Sequence, residues 1–182
     1  NGRFSLVGDQ AAALALRGPD TRVIDLEDAT AYPGFIDAHL HVAGIGAAQR
    51  SVDLTGASSF SELIDRVAAR ASTLRPGVVL QGRGWHQSKW LKPPAGHIAG
   101  FPTHHALSEA VPNHSVVLEH ANGHSVLLNQ RAMEQVGIDA DTIAPEGGVI
   151  VMSDGQPTGL LHETAIDLAA PLQTYDLQTA EE

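Results

Sequence analysis

The chain has 182 residues, of which 43% are hydrophobic and 18% are charged, a balance that indicates a folded globular protein rather than a disordered one. Its formal net charge is −10 and it has no run of Lys or Arg, so nucleic acid and membrane surfaces are not expected as partners. The absence of cysteine excludes disulfides and thiolate sites and fits a cytoplasmic location, and no apolar run is long enough to cross a bilayer.

Strand-like and helix-like segments alternate at the start of the chain. It opens on NGRFSLVG without an initiator Met, which suggests a cut through a longer protein, and residues 3–7 and 21–26 predict strands. Between them, DQAAALALRG predicts a short helix closed by Gly18. The segment YPGFIDAHLH then predicts a third strand that ends on two histidines, His39 and His41.

The middle of the chain contains the strongest helix signal. Apolar residues keep helical spacing over 59–74, Ser59 and Glu62 have the spacing of a capping box, and a Pro-Gly pair follows. Short β-rich runs at 78–82 and 115–121 predict buried strands. Between these strands lies a long segment rich in Gly, Pro and His, a length of loop that often has a functional role.

The last third predicts a helix, a hairpin and a final helix. NQRAMEQVG predicts a small helix over 129–137, and Asp154-Gly155 between two apolar runs is a two-residue hairpin signal. A last helix is expected to begin near Glu163 and to be interrupted by Pro171. The polar stretch LQTYDLQTAEE at the end again suggests a cut through a longer protein.

The two histidines at the end of the third predicted strand are candidate metal ligands. Residues i and i+2 of a strand point to the same face, so His39 and His41 would project together. Neutral imidazole suits zinc, iron, nickel or manganese, and a catalytic metal activates water for attack on a carbonyl or amidine carbon. The spacing alone is more typical of two solvated histidines at a strand end.

The residues around this pair resemble a known family. YPGFIDAHLH resembles the P-G-[FL]-[IV]-D-x-H-x-H signature of the metal-dependent amidohydrolase superfamily. Four later segments are similar, in order, to the family-3 amidohydrolases, the branch that contains N-substituted formamide deformylase-like enzymes: VDLTGASSFSELIDRV, GRGWHQSKW, NGHSVLLNQRAMEQVGI and PEGGVIVMSDGQPTGLLHETA. The similarity extends from about residue 3 to 170.

The resemblance implies a mixed α/β and β architecture, the N-terminal part of a composite amidohydrolase fold. Residues 1–32 would belong to a small β-rich flanking domain, and 33–51 would be the first strand of a (β/α)8 barrel with its following loop. Residues 52–160 would form an α+β insertion that covers the active-site mouth, and 161–182 would return toward the barrel as a helix. Later barrel strands are absent from the sequence, so the barrel is expected to be incomplete in this chain.

The resemblance also implies a divalent metal. His39 and His41 match the first two ligands of the family, and Glu163 matches an acidic residue that is a further candidate ligand, its alternative role being charge stabilisation of a helix N-terminus. Zinc is the expected metal, as one or two ions, with iron, manganese or nickel as alternatives. The catalytic base and the remaining ligands would lie on later strands. Asp37 is expected to be structural.

Three residues are candidates for substrate contact: Trp85, His86 and His124. Many relatives have Asp at position 86 and read D-G-H where this chain has Asn122, so the match is imperfect at both places. The alternatives are a packed aromatic loop around Trp85 and a structural histidine at 124. Four further histidines are expected at the surface: His97, His104, His105 and His114.

The function implied by the resemblance is hydrolysis of non-peptide C–N bonds, as in amides or formamides, in a small-molecule substrate. One alternative within the same chemistry is deamination of a cyclic amidine. The alternative from another class is a truncated, non-catalytic chain that binds metal or ligand. We expect the chain alone to bind metal weakly, to lack hydrolase activity, and to be poorly stable or to associate as a homo-oligomer.

Overall fold

The computed structural model describes residues 3–39 and 42–173, and the chain divides between Leu40 and His41 into two units. In the first unit, the predicted helix is confirmed as α1, Gln10–Ala15. Its N-cap is Asp9, whose carboxylate accepts a hydrogen bond from the backbone N–H of Ala12 at 2.9 Å. All described residues of this unit are exposed.

The strands predicted in the first unit are not formed. Residues 3–7, 21–26 and 33–39 are irregular, so the strands predicted over these residues do not form in this structure. A strand exists only through hydrogen bonds to a neighbouring strand, and the described residues of this unit contain no such pair. A strand-like sequence alone was therefore not sufficient to form a strand in this unit.

The second unit is built on one mixed sheet of six strands in the order β1-β2-β3-β4-β6-β5. Their bounds are β1 Val52–Asp53, β2 Leu80–Trp85, β3 Val116–His120, β4 Ser125–Leu128, β5 Gly148–Ser153 and β6 Gln156–Glu163. The pairs β1–β2 and β2–β3 are parallel, whereas β3–β4, β4–β6 and β5–β6 are antiparallel. The mixed α/β content expected from the sequence is confirmed here.

The described residues of this unit, 42–173, also form four α-helices and two 3₁₀ helices. The α-helices are α2 Val42–Arg50, α3 Phe60–Ala71, α4 His105–Ala110 and α5 Gln130–Val136, and the 3₁₀ helices are Gln87–Lys89 and Thr164–Leu172. Residues 42–50 were expected to be a loop and form a helix instead. The predicted final helix is the second 3₁₀ helix, and it contains Pro171 rather than being interrupted by it.

Alternation along the strands divides the core between the two faces of the sheet. Val116 and Leu118 pack in a cluster with α3 and α4, whereas Val117 between them packs in a second cluster with α5 and the Thr164–Leu172 helix. Successive side chains of a strand point to opposite faces, so a strand buried on both sides reads as one continuous apolar run. This is why VVL was recognisable as a buried strand.

Local signals begin one helix, end another and form the hairpin where the sequence predicted them. Ser59 caps α3 by accepting a hydrogen bond from the backbone N–H of Glu62 at 3.0 Å. Gly137 ends α5 with a positive φ of 73°, a conformation that costs glycine little. Asp154 and Gly155 turn between β5 and β6, both with positive φ, as a two-residue hairpin requires. No described helix is long and apolar enough to span a membrane.

Candidate functional site

Four histidines and one glutamate lie where strands of the sheet end or begin. His86 follows β2, His120 ends β3, His124 precedes β4, and His162 and Glu163 end β6. Because β2 and β3 are parallel and β4 runs antiparallel to both β3 and β6, these positions lie at one edge of the sheet. We call these five residues the histidine edge.

His120 is the buried member of the histidine edge, with 3% of its surface exposed. Its Nδ1 accepts a hydrogen bond from the backbone N–H of Asn122 at 3.2 Å, so Nε2 carries the proton and donates to Oε1 of Gln87 at 2.8 Å. Burial lowers the pKa of His120; its contact with Asn122 opposes this, and His86 and His162 lower the pKa further. The ring is therefore neutral, with both nitrogens bonded.

Aromatic rings surround His120. Trp85 meets it edge-on at 4.7 Å between ring centroids, and His86 lies tilted against it at 4.5 Å. Trp85 is fully buried and its Nε1 donates to the carbonyl of Leu118 at 3.0 Å. Of the two roles considered for Trp85, the structure therefore places it in the packed core, where it supports His120. His86 is half-buried.

His162 links the aromatic cluster to the end of β6. Its Nδ1 lies 2.8 Å from the hydroxyl of Ser125, and its ring meets Phe101 edge-on at 5.4 Å. Burial lowers the pKa of His162, whereas the adjacent carboxylate of Glu163 acts in the opposite direction. The His162 ring thus lies between the uncharged aromatic ring of Phe101 and the charged carboxylate of Glu163.

Two residues that the sequence singled out separately are brought together by the fold. Nδ1 of His124 lies 3.0 Å from Oε2 of Glu163, with side chains 65% and 55% exposed. The backbone N–H of Glu163 donates to the carbonyl of His124 at 3.1 Å, and the backbone N–H of His124 donates to Oδ1 of Asn122 at 2.8 Å. Main-chain and side-chain hydrogen bonds therefore connect the same two residues.

Glu163 has an unusual backbone, with φ 53° and ψ −132°. Such a conformation costs a non-glycine residue about 1–3 kcal/mol and persists only where the surroundings impose it. Here Gly148 pairs with Glu163, and a Cβ at Gly148 would lie 2.3 Å from the backbone nitrogen of Ala165. The Thr164 hydroxyl also donates to the carbonyl of Glu146 at 2.7 Å. The close approach of these backbones holds Glu163 in place.

A shallow cavity of about 340 Å³ adjoins this pair. Its described lining residues are Gly123, His124, Glu163, Thr164, Ile166 and Asp167. Two carboxylates and no Lys or Arg are among them, so the cavity attracts cationic or neutral groups and disfavours anions.

The predicted metal ligands are only partly described. His39 is exposed, and its backbone N–H donates to Oδ1 of Asp37 at 3.0 Å, which gives Asp37 the structural role expected of it. His41 lies outside the described residues. The imidazole of His39 suits a zinc-type ion, but within residues 3–39 and 42–173 no three His, Asp or Glu side chains are grouped to hold a metal. These residues therefore offer a donor of the right chemistry without a complete ligand set.

The expectation that four other histidines lie at the surface was wrong for two of them. His97 and His105 are exposed, as predicted. His104 is 8% exposed with Nδ1 3.0 Å from the hydroxyl of Ser108, and the buried His114 donates from Nδ1 to a backbone carbonyl at 2.9 Å. Burial, with His105 stacked beside it, lowers the pKa of His104 to about 4. Local polarity had suggested loops, whereas these positions adjoin α4 and β3.

The comparisons with known proteins place the chain in a family. The model of the amidohydrolase family matches residues 22–182. The chain belongs to the amidohydrolase family. It is 33% identical over 172 residues to the N-substituted formamide deformylase of Arthrobacter pascens, covering 92% of this chain and 30% of that protein. It is 34% identical over 151 residues to YtcJ of Bacillus subtilis (strain 168), which is named as an amidohydrolase, covering 82% of this chain and 27% of YtcJ.

A solved structure shares the fold. The chain matches an uncharacterized metal-dependent hydrolase from Pyrococcus horikoshii OT3 with a TM-score of 0.52 and 24% identity, covering 80% of this chain and 25% of that one. At this identity the match is evidence for the fold alone. The chain spans 27% to 38% of the length of the curated relatives it matches.

Sequence reasoning missed two members of the histidine edge, His120 and His162. Each ends an apolar run, VVLEH and GLLH, in the same way that His41 ends FIDAHLH. At residues 39 and 41 the histidines that close an apolar run also form the H-x-H pair of the family signature, a spacing that His120 and His162 lack. The simpler pattern of a histidine closing an apolar run, applied throughout the chain, would have found both residues.

Proposed function

We propose that this chain forms part of a metal-dependent amidohydrolase that cleaves non-peptide C–N bonds of amide or formamide type in small-molecule substrates. The observation that carries the proposal is the family match over residues 22–182, which includes the H-x-H pair. A relative at 33% identity that is named for deformylation of N-substituted formamides supports the bond type.

His39 and His41 are assigned as two ligands of a divalent metal, zinc before iron, manganese or nickel. Imidazole nitrogen is a preferred ligand of these metals, and His39 is exposed. When bound, such a metal supplies Lewis-acid chemistry, polarising a carbonyl and lowering the pKa of water. Asp37 positions the turn before His39 by accepting its backbone N–H.

The second unit is assigned to the α+β insertion over the active-site mouth, residues 52–160, with 161–182 returning toward the barrel. By family resemblance, residues 1–32 are assigned to the small β-rich flanking domain and 33–51 to the first barrel strand and following loop of the whole protein, although residues 33–39 form no strand in this structure. Within the second unit, His86 and His124 are assigned to substrate contact, because both lie on the histidine edge and neither is buried. Trp85 supports this surface from the core.

Metal content and hydrolysis test the proposal together. The complete open reading frame that encodes this chain is expressed with zinc, and hydrolysis of N-substituted formamides and of simple amides is assayed. We expect activity that chelation removes and zinc restores, and we expect His39→Ala or His41→Ala to lower bound zinc and activity together. His97→Ala removes an exposed histidine elsewhere and should leave both unchanged. Full activity in both ligand variants would overturn the assignment.

The chain alone is expected to behave differently. Two imidazoles are fewer than the three protein ligands of a usual catalytic zinc site, so the 182-residue chain should bind zinc weakly and lack hydrolase activity. Dialysis followed by elemental analysis measures this. Stoichiometric zinc that survives dialysis and disappears in His39→Ala would contradict the weak binding.

A further inference from the structure

We propose that His124 and Glu163 form a carboxylate–imidazole pair in which Glu163 is a positioning residue and His124 presents an unprotonated Nε2 that accepts a hydrogen bond from a substrate N–H group. The proposal rests on the proposed function only in calling the bound ligand a substrate. The pair itself is a property of this chain, and its test requires neither metal nor activity.

The partner of Nδ1 determines which tautomer of His124 forms. Oε2 of Glu163 lies 3.0 Å from Nδ1 of His124, and a carboxylate can only accept a hydrogen bond from a neutral imidazole. Nδ1 must therefore carry the proton when the ring is neutral. Nε2 is then the lone-pair nitrogen, which makes it the acceptor that His124 can offer to another molecule.

The backbone positions from which the two side chains extend are held by hydrogen bonds and strand pairing. Glu163 is held by its own N–H to the carbonyl of His124, by its pairing with Gly148, and by a strained φ of 53°. His124 is held by its N–H to Asn122. Strain of this kind is concentrated at functional sites, where a fixed side-chain direction is needed.

The chemistry of the cavity selects the ligand. Glu163 and Asp167 line it together with His124, so it favours neutral or cationic groups over carboxylates. An acceptor nitrogen in such a cavity fits a ligand that donates an N–H, as a secondary amide, an N-monosubstituted formamide or an amine does. Fully substituted amides have no N–H and cannot make this contact.

The tautomer of His124 is the first test. Two-bond ¹H–¹⁵N correlation spectra of the ¹⁵N-labelled chain are recorded at about pH 8.5, about two pH units above the ordinary pKa of histidine. We expect His124 to be mainly protonated on Nδ1. In Glu163→Ala the form protonated on Nε2 should become the main tautomer. Glu163→Gln keeps an acceptor oxygen at the same side-chain length, so the form protonated on Nδ1 should again be well populated. Asp167→Ala removes the other carboxylate of the cavity and should leave the tautomer of His124 unchanged.

Ligand recognition is the second test, on the same chain. N-methylacetamide, N,N-dimethylacetamide and acetate are added at equal concentrations, and the Nε2 resonance of His124 is followed. We expect a concentration-dependent shift with N-methylacetamide alone, and its loss in Glu163→Ala. Protonation of His124 on Nε2 in the unsubstituted chain overturns the pair. An equal shift with the dimethyl compound or with acetate overturns the assignment to N–H donors.

Discussion

The two units of this chain have similar local sequence signals and different outcomes. Residues 3–39 contain apolar segments of strand-like composition, yet Phe35 and Ile36 are 94% and 95% exposed. In the second unit, Trp85 and Leu118 are fully buried on strands of a six-stranded sheet. Intrinsic strand preference is a matter of fitting a pleated, half-buried surface, so it has effect only where a sheet is available.

This difference makes the energetic contribution of a side chain depend on its unit more than on its type. Burial of apolar side chains in the second unit stabilises the folded state by about 25 cal/mol per Å² of buried area. The exposed apolar side chains of residues 3–39 contribute little stabilisation of this kind. The same kind of substitution should therefore give unequal effects in the two units.

The largest expected difference is between two aromatic truncations. Trp85→Ala deletes a fully buried ring that packs against His120 and hydrogen-bonds Leu118, and it should lower the free energy of unfolding by about 3–5 kcal/mol. Phe35→Ala deletes an exposed ring and should change it by less than about 0.5 kcal/mol. Urea unfolding followed by circular dichroism measures both. Equal losses in the two variants would mean that residues 3–39 are packed as well as the sheet.

A glycine pair tests the backbone in the same way. A Cβ at Gly159 would lie 2.3 Å from the carbonyl oxygen of Leu128, and its φ is 85°. Gly159→Ala should therefore cost about 2–4 kcal/mol through overlap and strain. Gly34→Ala meets nothing within 4 Å and should have little effect. The midpoint of urea unfolding is the readout, and a neutral Gly159→Ala would show that β4 and β6 can separate without cost.

Helix caps give a third pair. Asn129 caps α5 from full burial: its Oδ1 accepts from the backbone N–H groups of Val116 and Ala132, and its Nδ2 donates to two carbonyls. Asn129→Ala leaves these buried groups unpaired and should cost about 2–3 kcal/mol. Asp9→Ala removes the cap of α1 and should leave the main unfolding transition unchanged. If both variants unfold at the same urea concentration, the cap of α5 is not coupled to the sheet.

The fold was predictable where a local signal decides the structure. The Ser59 cap, the Asp154-Gly155 turn and the terminal Gly137 each act over a few residues, and all three were confirmed. The strand β4 was missed although Asn122-Gly123, a typical hairpin dipeptide, precedes it. The strands expected before residue 40 failed because pairing is a long-range property that no local pattern contains.

The site was predictable by residue type but not by arrangement. His124 and Glu163 were singled out 39 positions apart, and only the sheet brings them into contact at 3.0 Å. The burial of His120 depends on the parallel pairing of β2 with β3, which the sequence does not state. His41, the residue on which the metal assignment depends most closely, remains a prediction, since it lies outside the described residues.

The smallest expected effect concerns pH and a histidine that the sequence had placed at the surface. Burial lowers the pKa of His104 to about 4, whereas an unfolded histidine has a pKa near 6.5. The folded state thus favours the neutral ring, so this contribution to stability is fully present above pH ~6.5 and is lost as the pH falls toward ~4. Lowering the pH from ~7 to ~5 should reduce the free energy of unfolding by about 2 kcal/mol through His104.

Urea unfolding at several pH values between ~7 and ~5 measures that slope. His104→Gln keeps a polar side chain near Ser108 without a titrating ring, so its stability should vary less with pH even if its absolute value is lower. Part of the slope should remain, because burial also lowers the pKa of His120 and of His162. His97→Gln is the control from the exposed loop and should keep the whole slope. An unchanged slope in His104→Gln would mean that the ring can protonate within the fold, and that the contact between α4 and the sheet opens more easily than its burial implies.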